Sequence, residues 1–276
     1  MKTIHSAIFL FLLLTPFLSA SADQPQPPAL IDLFVSGQGS YHTYRIPSLI
    51  VTKKGVLVAI CEGRKTSRAD HGDVDLIARR STDGGRNWGP VHLVYEEGGV
   101  RKITIGNPCP VVDRDTGVIW LPLTRDNDDV LLVSSKDEGQ TWSAPRVITG
   151  SVKKDNWTWY ATGPGNGIQM TRGPHRGRLI IPCDHRIRSI ADRSKSTRSH
   201  VIYSDDHGLT WSIGGITDFL MNECAVAERE DGSLLLTCEA IAAAIDAACP
   251  GARTAGSTGA IVSTIRLWSS PFARPA

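Results

Sequence analysis

The octet STDGGRNW at residues 81–88 recurs as SKDEGQTW at 135–142 and as SDDHGLTW at 204–211. All three copies share the pattern S-x-D-x-G-x-[NT]-W. This pattern predicts a hairpin turn, because aspartate can accept hydrogen bonds from turn amides and glycine tolerates the positive φ of a tight bend. The tryptophan can fold back onto the hairpin as an apolar plug. We therefore assign a structural, turn-capping role, rather than catalysis or calcium binding, to the three octet aspartates, Asp83, Asp137 and Asp206.

Short apolar runs separated by Gly and Pro turns surround the octets. Such runs occur at residues 56–60, 75–78, 118–121, 130–133, 178–181 and 200–203. The octets start 54 and 69 residues apart, slightly more than the roughly 40–50 residues of a four-stranded propeller blade. Helical periodicity is absent before residue 238. The sequence therefore predicts an all-β chain of propeller blades.

Length, charge and cysteine spacing restrict the class of protein further. The chain has 276 residues, 41% of them hydrophobic, and a net charge of +2. This fits a globular protein and gives no indication of a nucleic-acid or membrane-surface partner. The six cysteines include no C-x-x-C pair, so we expect no zinc ribbon or thioredoxin-like site and no metal or cofactor. The disulfide pattern stays open.

The first 22 residues are typical of an export signal. Lys2 provides a positive charge, residues 8–14 form an apolar core, and small residues allow cleavage after Ala20 or Ala22. The alternative is an uncleaved membrane anchor, but the apolar run is shorter than the roughly 18 residues that span a bilayer. We expect a secreted or periplasmic protein whose mature chain has no membrane span and carries its blades over residues 23–237.

The segment Tyr44-Arg45-Ile46-Pro47 adds a chemical signal to the repeat. Together with the three octets downstream, it resembles the [FY]-R-I-P motif of the sialidase (neuraminidase) superfamily, in which such octets are called Asp-boxes. The resemblance implies a six-bladed β-propeller and an exo-α-sialidase that releases terminal sialic acid from glycoproteins and other sialylated glycans. It also implies that Arg45 binds the sialic acid carboxylate. A guanidinium suits this task because its planar fork donates two parallel hydrogen bonds.

A second part of the resemblance covers residues 61–76. There Arg64 and Asp70 match a further active-site arginine and the acid/base aspartate of the family, so the resemblance implies that Arg64 binds substrate together with Arg45. The resemblance implies that Asp70 protonates the leaving glycosidic oxygen and later activates water. Asp73 and Asp75 are close rivals, but they flank the strand that enters the first Asp-box, so we interpret them as structural. The alternative is that Asp70 is an ordinary loop carboxylate.

The segment 222–234 resembles the family region whose first glutamate activates a tyrosine nucleophile. Glu223 is the matching residue; Glu228 is the runner-up, but the alternation of the sequence places it in a strand. Sialidases are glycosidases that use tyrosine rather than a carboxylate as nucleophile. A neutral phenol activated by glutamate avoids repulsion from the negative charge at the anomeric centre of the substrate.

Other polar segments have weaker assignments. Residues 113–117 are interpreted as a hairpin turn rather than a calcium loop, because the glutamate of an EF-hand is not at its position. Residues 157–167 are expected to line the cleft, and residues 125–127 to contact substrate hydroxyls. Asp184 and His185 are expected to hold strands together rather than to bind a metal.

The resemblance stops after residue 237. A clamp arginine of the family would fall at position 239, which is Glu239, and no tyrosine follows Tyr203. The codons permitted by the sequence from residue 238 allow another frame, which places arginine at 239 and continues towards an Asp-box start. We hypothesise that residues 238–276 are a frameshifted tail on an interrupted sialidase of about four blades, with exposed sheet edges. The alternative is a genuine helical extension.

Two functional classes therefore stay open. One is an exo-α-sialidase-type glycoside hydrolase, in this chain of low or no activity; the other is a non-catalytic Asp-box propeller that binds a partner. Arg45, Arg64, Asp70 and Glu223 favour the sialidase, since a scaffold needs none of them.

We predict that the gene, read in the shifted frame after codon 237, encodes further Asp-boxes, a clamp arginine and a tyrosine. Nucleotide sequencing across this junction checks the prediction. A shifted frame interrupted by stop codons and without these motifs would contradict it.

Overall fold

The computed structural model describes residues 30–99, 101–192 and 196–240, together with the backbone of 260–263. The predicted export signal and most of the 238–276 tail lie outside these residues. From Leu33 onward the chain forms one structural unit. No helix in the described part of the chain is long and apolar enough to cross a membrane.

The first two antiparallel sheets account for residues 43–147. The first sheet consists of β1 (Thr43–Val51), β2 (Leu57–Arg64), β3 (Val74–Ser81) and β4 (His92–Tyr95), paired in chain order. The second consists of β5 (Ile105–Gly106), β6 (Val111–Val112), β7 (Ile119–Arg125), β8 (Asp129–Ser135) and β9 (Arg146–Val147). Its order is β5-β7-β8-β9, with β6 also paired to β7.

Two further sheets follow the short helix α1 (Thr149–Val152). The third contains β10 (Trp157–Thr162), β11 (Ile168–Gln169), β12 (Leu179–Ile187), β13 (Thr197–Ser204) and β14 (Ser212–Ile216). The fourth contains β15 (Met221–Glu228), β16 (Leu234–Ala240) and β17 (Ala260–Ser263), paired in that order. These four sheets are the blades of a partial propeller, which confirms the predicted all-β architecture. The described parts of the tail are strand, not helix.

Three apolar clusters hold successive blades together. The cluster between blades 1 and 2 includes Ile60, Leu76 and Leu121, all fully buried. A second cluster between blades 2 and 3 is built around Tyr160, and a third joins blades 3 and 4 around Leu236. Burying one such side chain contributes about 1.5–3 kcal/mol, so the blades are joined by side-chain packing, while hydrogen bonds hold the strands within each blade.

The three Asp-boxes are turn caps, as the sequence predicts. In the third box, the Asp206 carboxylate accepts hydrogen bonds from the backbone N–H (2.8 Å) and hydroxyl (2.6 Å) of Thr210. Gly208 has φ +87°, and its carbonyl accepts the indole N–H of the buried Trp211 at 3.0 Å. In the first box, hydrogen bonds, above all from the backbone N–H of Asn87, lower the pKa of Asp83 to about 2. Each box joins the last two strands of its sheet.

We predict that Asp206→Ala lowers the free energy of unfolding by about 1–2 kcal/mol, because the turn loses the side chain that caps its amides. Urea denaturation followed by tryptophan fluorescence measures the change. Asp155→Ala, which removes an exposed carboxylate outside the boxes, is the matched control. Equal unfolding midpoints for the two variants would contradict the capping role.

Candidate active site

A polar cavity of about 280 Å³ is lined by residues from all four blades. The lining residues are Arg45, Ile46, Glu62, Arg64, Asp70, His71, Thr104, Asn107, Asn127, Trp159, Arg186 and Glu223. All four residues selected from the sequence are among them, although they are spread over residues 45–223 of the chain. The three Asp-box aspartates are not. The structure thus brings the predicted site residues together, while their catalytic roles stay predictions.

A buried ion pair on β2 lines the cavity. Glu62 and Arg64 are two residues apart and therefore point to the same face of the strand, and both side chains are nearly inaccessible to solvent. Arg64 donates to Glu62 Oε2 through Nε (2.9 Å) and Nη2 (2.7 Å). Glu62 Oε1 accepts the backbone N–H of Asn107 at 3.0 Å. A Cβ at Gly106 would lie 2.6 Å from Glu62 Oε1, so a larger residue there would displace the carboxylate.

Asp70 lies in the loop after β2 and bridges two arginines. Its Oδ1 accepts Arg64 Nη1 at 2.9 Å and Arg45 Nη1 at 2.6 Å. Arg64 Nη1 also donates to the carbonyl of Arg68 at 2.6 Å, which fixes the loop that carries Asp70. The hydrogen bond from Arg64, together with both positive charges, lowers the pKa of Asp70. The aspartate is therefore ionised in this state.

A bulge in β1 positions Arg45. Arg45 pairs with Glu62, whereas Ser48 pairs with Ile60, so β1 contains one extra residue at this point. Ile46 has φ +52°, a strained conformation for a β-branched residue. Strained backbone of this kind is concentrated at functional sites, where surrounding structure maintains it. The R-I-P segment is thus the place where β1 departs from regular pairing beside the cavity.

Glu223 comes to the cavity from β15, the first strand of the fourth blade. The register of β15 shifts between Met221 and Cys224, so Glu223 lies in an irregular part of the strand. Partial burial and the nearby negative charge of Glu239 raise the pKa of Glu223, and Arg45 opposes this effect. Asn222 donates its side-chain amide to Glu239 Oε2 at 2.9 Å. A carboxyl group with a raised pKa is suited to accept and release a proton.

The rival carboxylates have structural partners. Asp75 accepts the hydroxyl of Tyr41 at 2.8 Å, and Lys65 forms ion pairs with Asp75 (3.0 Å) and Asp73 (3.2 Å). Glu228 accepts the backbone N–H (2.9 Å) and hydroxyl (2.6 Å) of Thr171. None of these three carboxylates lines the cavity. The choice of Asp70 and Glu223 over their neighbours is consistent with this geometry.

The segment 125–127 contributes differently from the expectation. Only Asn127 of this segment lines the cavity. Arg125 instead pairs with Glu97 (3.1 Å) and Asp129 (2.5 Å), and Asp126 accepts the backbone N–H of Thr104. The expectation that all of 125–127 contacts substrate is therefore not supported for Arg125, because two carboxylates already bind its guanidinium.

Residues 184 and 185 lie on β12 within the third blade and do not line the cavity. The His185 ring stacks on Trp157 with centroids 3.5 Å apart, and its Nδ1 lies 3.0 Å from His200 Nδ1. Burial lowers the pKa of His185 to about 3, so the ring is neutral and packs against Trp157 and His200 inside the blade. Asp184 is fully buried, and neither carboxylate oxygen has a hydrogen-bond partner among the described residues. Burial raises its pKa well above the usual range.

Sequence reasoning gave no role to Glu62, Asn107 or Arg186. Glu62 had one local signal, its i, i+2 spacing from Arg64 within a strand. Arg186 lies over the Trp159 ring, 4.8 Å from its centroid. Of the segment 157–167, for which the sequence predicts a place in the cleft, Trp159 lines the cavity. Asn107 reaches the site from another blade, which no local pattern indicates.

Comparisons with known proteins agree with the fold. Residues 55–244 match the BNR repeat-like domain family. The chain is 36% identical over 225 residues to the sialidase of Micromonospora viridifaciens, covering 74% of this chain and 34% of that protein. Among solved structures it is similar to the Hadza microbial sialidase Hz136, with a TM-score of 0.67, 30% identity, and coverage of 73% of this chain and 43% of that one. Trypanosoma rangeli sialidase in complex with the inhibitor DANA shares the fold, with a TM-score of 0.60, 20% identity, and coverage of 72% and 35%.

The chain belongs to the sialidase superfamily of BNR-repeat proteins. This confirms the resemblance found in the R-I-P segment and the Asp-boxes. The chain spans 34% to 43% of the length of these three relatives.

We predict that Glu62→Gln lowers the free energy of unfolding by about 3–5 kcal/mol, because the buried Arg64 guanidinium loses its carboxylate partner. Urea denaturation measures the loss. Glu96→Gln, at an exposed position outside the cavity, is the matched control and should change stability little. If both variants unfold at the same urea concentration, the ion pair does not support the site.

Proposed function

We propose that this chain carries the acid/base part of an exo-α-sialidase site that acts on terminal sialic acid of glycoproteins and other glycans. The observation that supports this most strongly is the arrangement of Asp70. Two arginines bind one of its oxygens at 2.6 Å and 2.9 Å, while Glu223 lines the same cavity. A cavity with both cationic and acidic groups suits a substrate that brings its own carboxylate next to the bond to be broken.

In the proposed reaction each residue has a separate task. Arg45 binds the sialic acid carboxylate, and Arg64, held by Glu62, positions the loop that carries Asp70. Asp70 donates a proton to the glycosidic oxygen as the aglycone leaves, and later accepts a proton from the attacking water. Glu223 accepts the proton of a tyrosine whose oxygen attacks the anomeric carbon, which makes the reaction a retaining one.

The geometry favours this proposal over a non-catalytic binding propeller. The cavity places two carboxyl groups beside two arginines, an arrangement that a binding scaffold does not need. Carboxyl groups with pKa values pushed in opposite directions are typical of acid/base sites, and the acid role of Asp70 requires that a bound ligand reverse its lowered pKa. Here the pKa of Asp70 is lowered and that of Glu223 is raised.

We also propose that the 276-residue chain has low or no activity. Position 239 carries glutamate where the family resemblance leads us to expect a clamp arginine, and no tyrosine follows Tyr203 in the sequence. Glu239 adds negative charge beside Glu223, which opposes binding of an anionic sugar. We attribute this to the frameshifted tail over residues 238–276, and propose that the protein is exported through its first 22 residues.

We predict that turnover of a fluorogenic sialoside by this chain is several orders of magnitude below that of an ordinary sialidase, because the nucleophile and a clamp arginine are not supplied. Initial rates at equal enzyme concentration measure the difference. Asp70→Asn is the control for residual turnover. Ordinary turnover that Asp70→Asn abolishes would contradict the prediction and require a substitute nucleophile.

A further inference from the structure

Asp70 is already paired with Arg45, the residue that the proposed function assigns to the carboxylate of the substrate. In the described part of the chain, Arg45 Nη1 donates a hydrogen bond to Asp70 Oδ1 at 2.6 Å. The Asp70 side chain is 71% exposed and that of Arg45 is 44% exposed, so a ligand can reach both. The internal carboxylate therefore competes with any carboxylate that enters the cavity.

Arg64 cannot relieve this competition. Its Nε and Nη2 bind Glu62, and its Nη1 binds Asp70 and the carbonyl of Arg68. Its side chain is only 3% exposed. A ligand carboxylate that binds Arg45 would bring a second carboxylate to a guanidinium whose Nη1 already donates to Asp70, and the two anions would repel each other.

We infer that a carboxylate ligand displaces Asp70 from Arg45, and that Asp70 takes up a proton as the ligand binds. This inference rests on the proposed function, since it assumes that the cavity binds sialic acid through Arg45. Ligand binding thus converts Asp70 from an ionised partner of two arginines into a protonated acid.

The charges that face Asp70 give the sign of the change. Arg45 on β1 and Arg64 on β2 stabilise its anionic form, as does His71 on its own loop when protonated, whereas Glu223 on β15 opposes them across the cavity. Binding replaces the attraction of Arg45 by the repulsion of a second carboxylate. Both changes favour the protonated form. The lowered pKa of Asp70 in the free protein is consistent with this direction.

Calorimetric titration with DANA tests the inference. Titrations at about pH 5, slightly above the ordinary carboxyl pKa, in buffers of different ionisation enthalpy measure the protons taken up on binding. We expect uptake by the unmodified chain and no uptake by Asp70→Asn. Asp70→Asn should also bind DANA about two- to fivefold more tightly at neutral pH, the size expected for loss of an exposed competing ion pair.

Three controls separate the possible causes. The methyl ester of DANA, which has no free carboxylate, should cause no uptake. His71→Asn should retain uptake, and Asp128→Asn, at an exposed aspartate paired with Lys153 away from the cavity, should behave like the unmodified chain. Binding with equal uptake by the unmodified chain and Asp70→Asn, or uptake lost only in His71→Asn, overturns the inference while leaving the proposed function intact. Lack of DANA binding by every protein overturns the proposed function and the inference together.

Discussion

The buried ion pair between Glu62 and Arg64 is the interaction on which the candidate site depends. Two charges removed from water are tolerated only when their geometry is good and their remaining hydrogen-bonding groups are satisfied. Here the second oxygen of Glu62 accepts an amide of Asn107, from the neighbouring blade, and Arg64 uses its remaining donors on Arg68 and Asp70. One pair thus joins two blades and also fixes the loop that carries the acid/base candidate.

The propeller architecture explains how distant residues meet. Apolar clusters between successive blades fix their relative positions, and irregular segments of β1 and β15 place Arg45 and Glu223 at one cavity. Acidic residues elsewhere have different partners. The Asp-box aspartates accept hydrogen bonds from turn amides of their own hairpins, and none of them lines the cavity.

Local features could be predicted from the sequence because their causes are local. An Asp-box satisfies its hydrogen bonds within eight residues, so three copies indicate three hairpins and a blade repeat. Arg45, Arg64, Asp70 and Glu223 were selected through short motifs of the family. Asn107 and Arg186 were missed because they reach the cavity through the packing of blades. Arg125 was assigned to substrate because the sequence does not show that Glu97, from a distant loop, binds it.

The positions of the charged groups favour one orientation of a sugar bound in the cavity. Arg45 is the exposed cation, Asp70 lies beside it, and Glu223 lies on β15 with Glu239 as its acidic neighbour. In the proposed function, the sugar carboxylate is directed to the first blade and the anomeric carbon towards Glu223. A crystal structure of the chain with DANA bound is the most direct test of this account. We expect the DANA carboxylate within hydrogen-bonding distance of the Arg45 guanidinium, with Asp70 turned away from Arg45 and Glu223 facing the sugar. A carboxylate bound elsewhere, with the Arg45–Asp70 pair intact, would contradict the account.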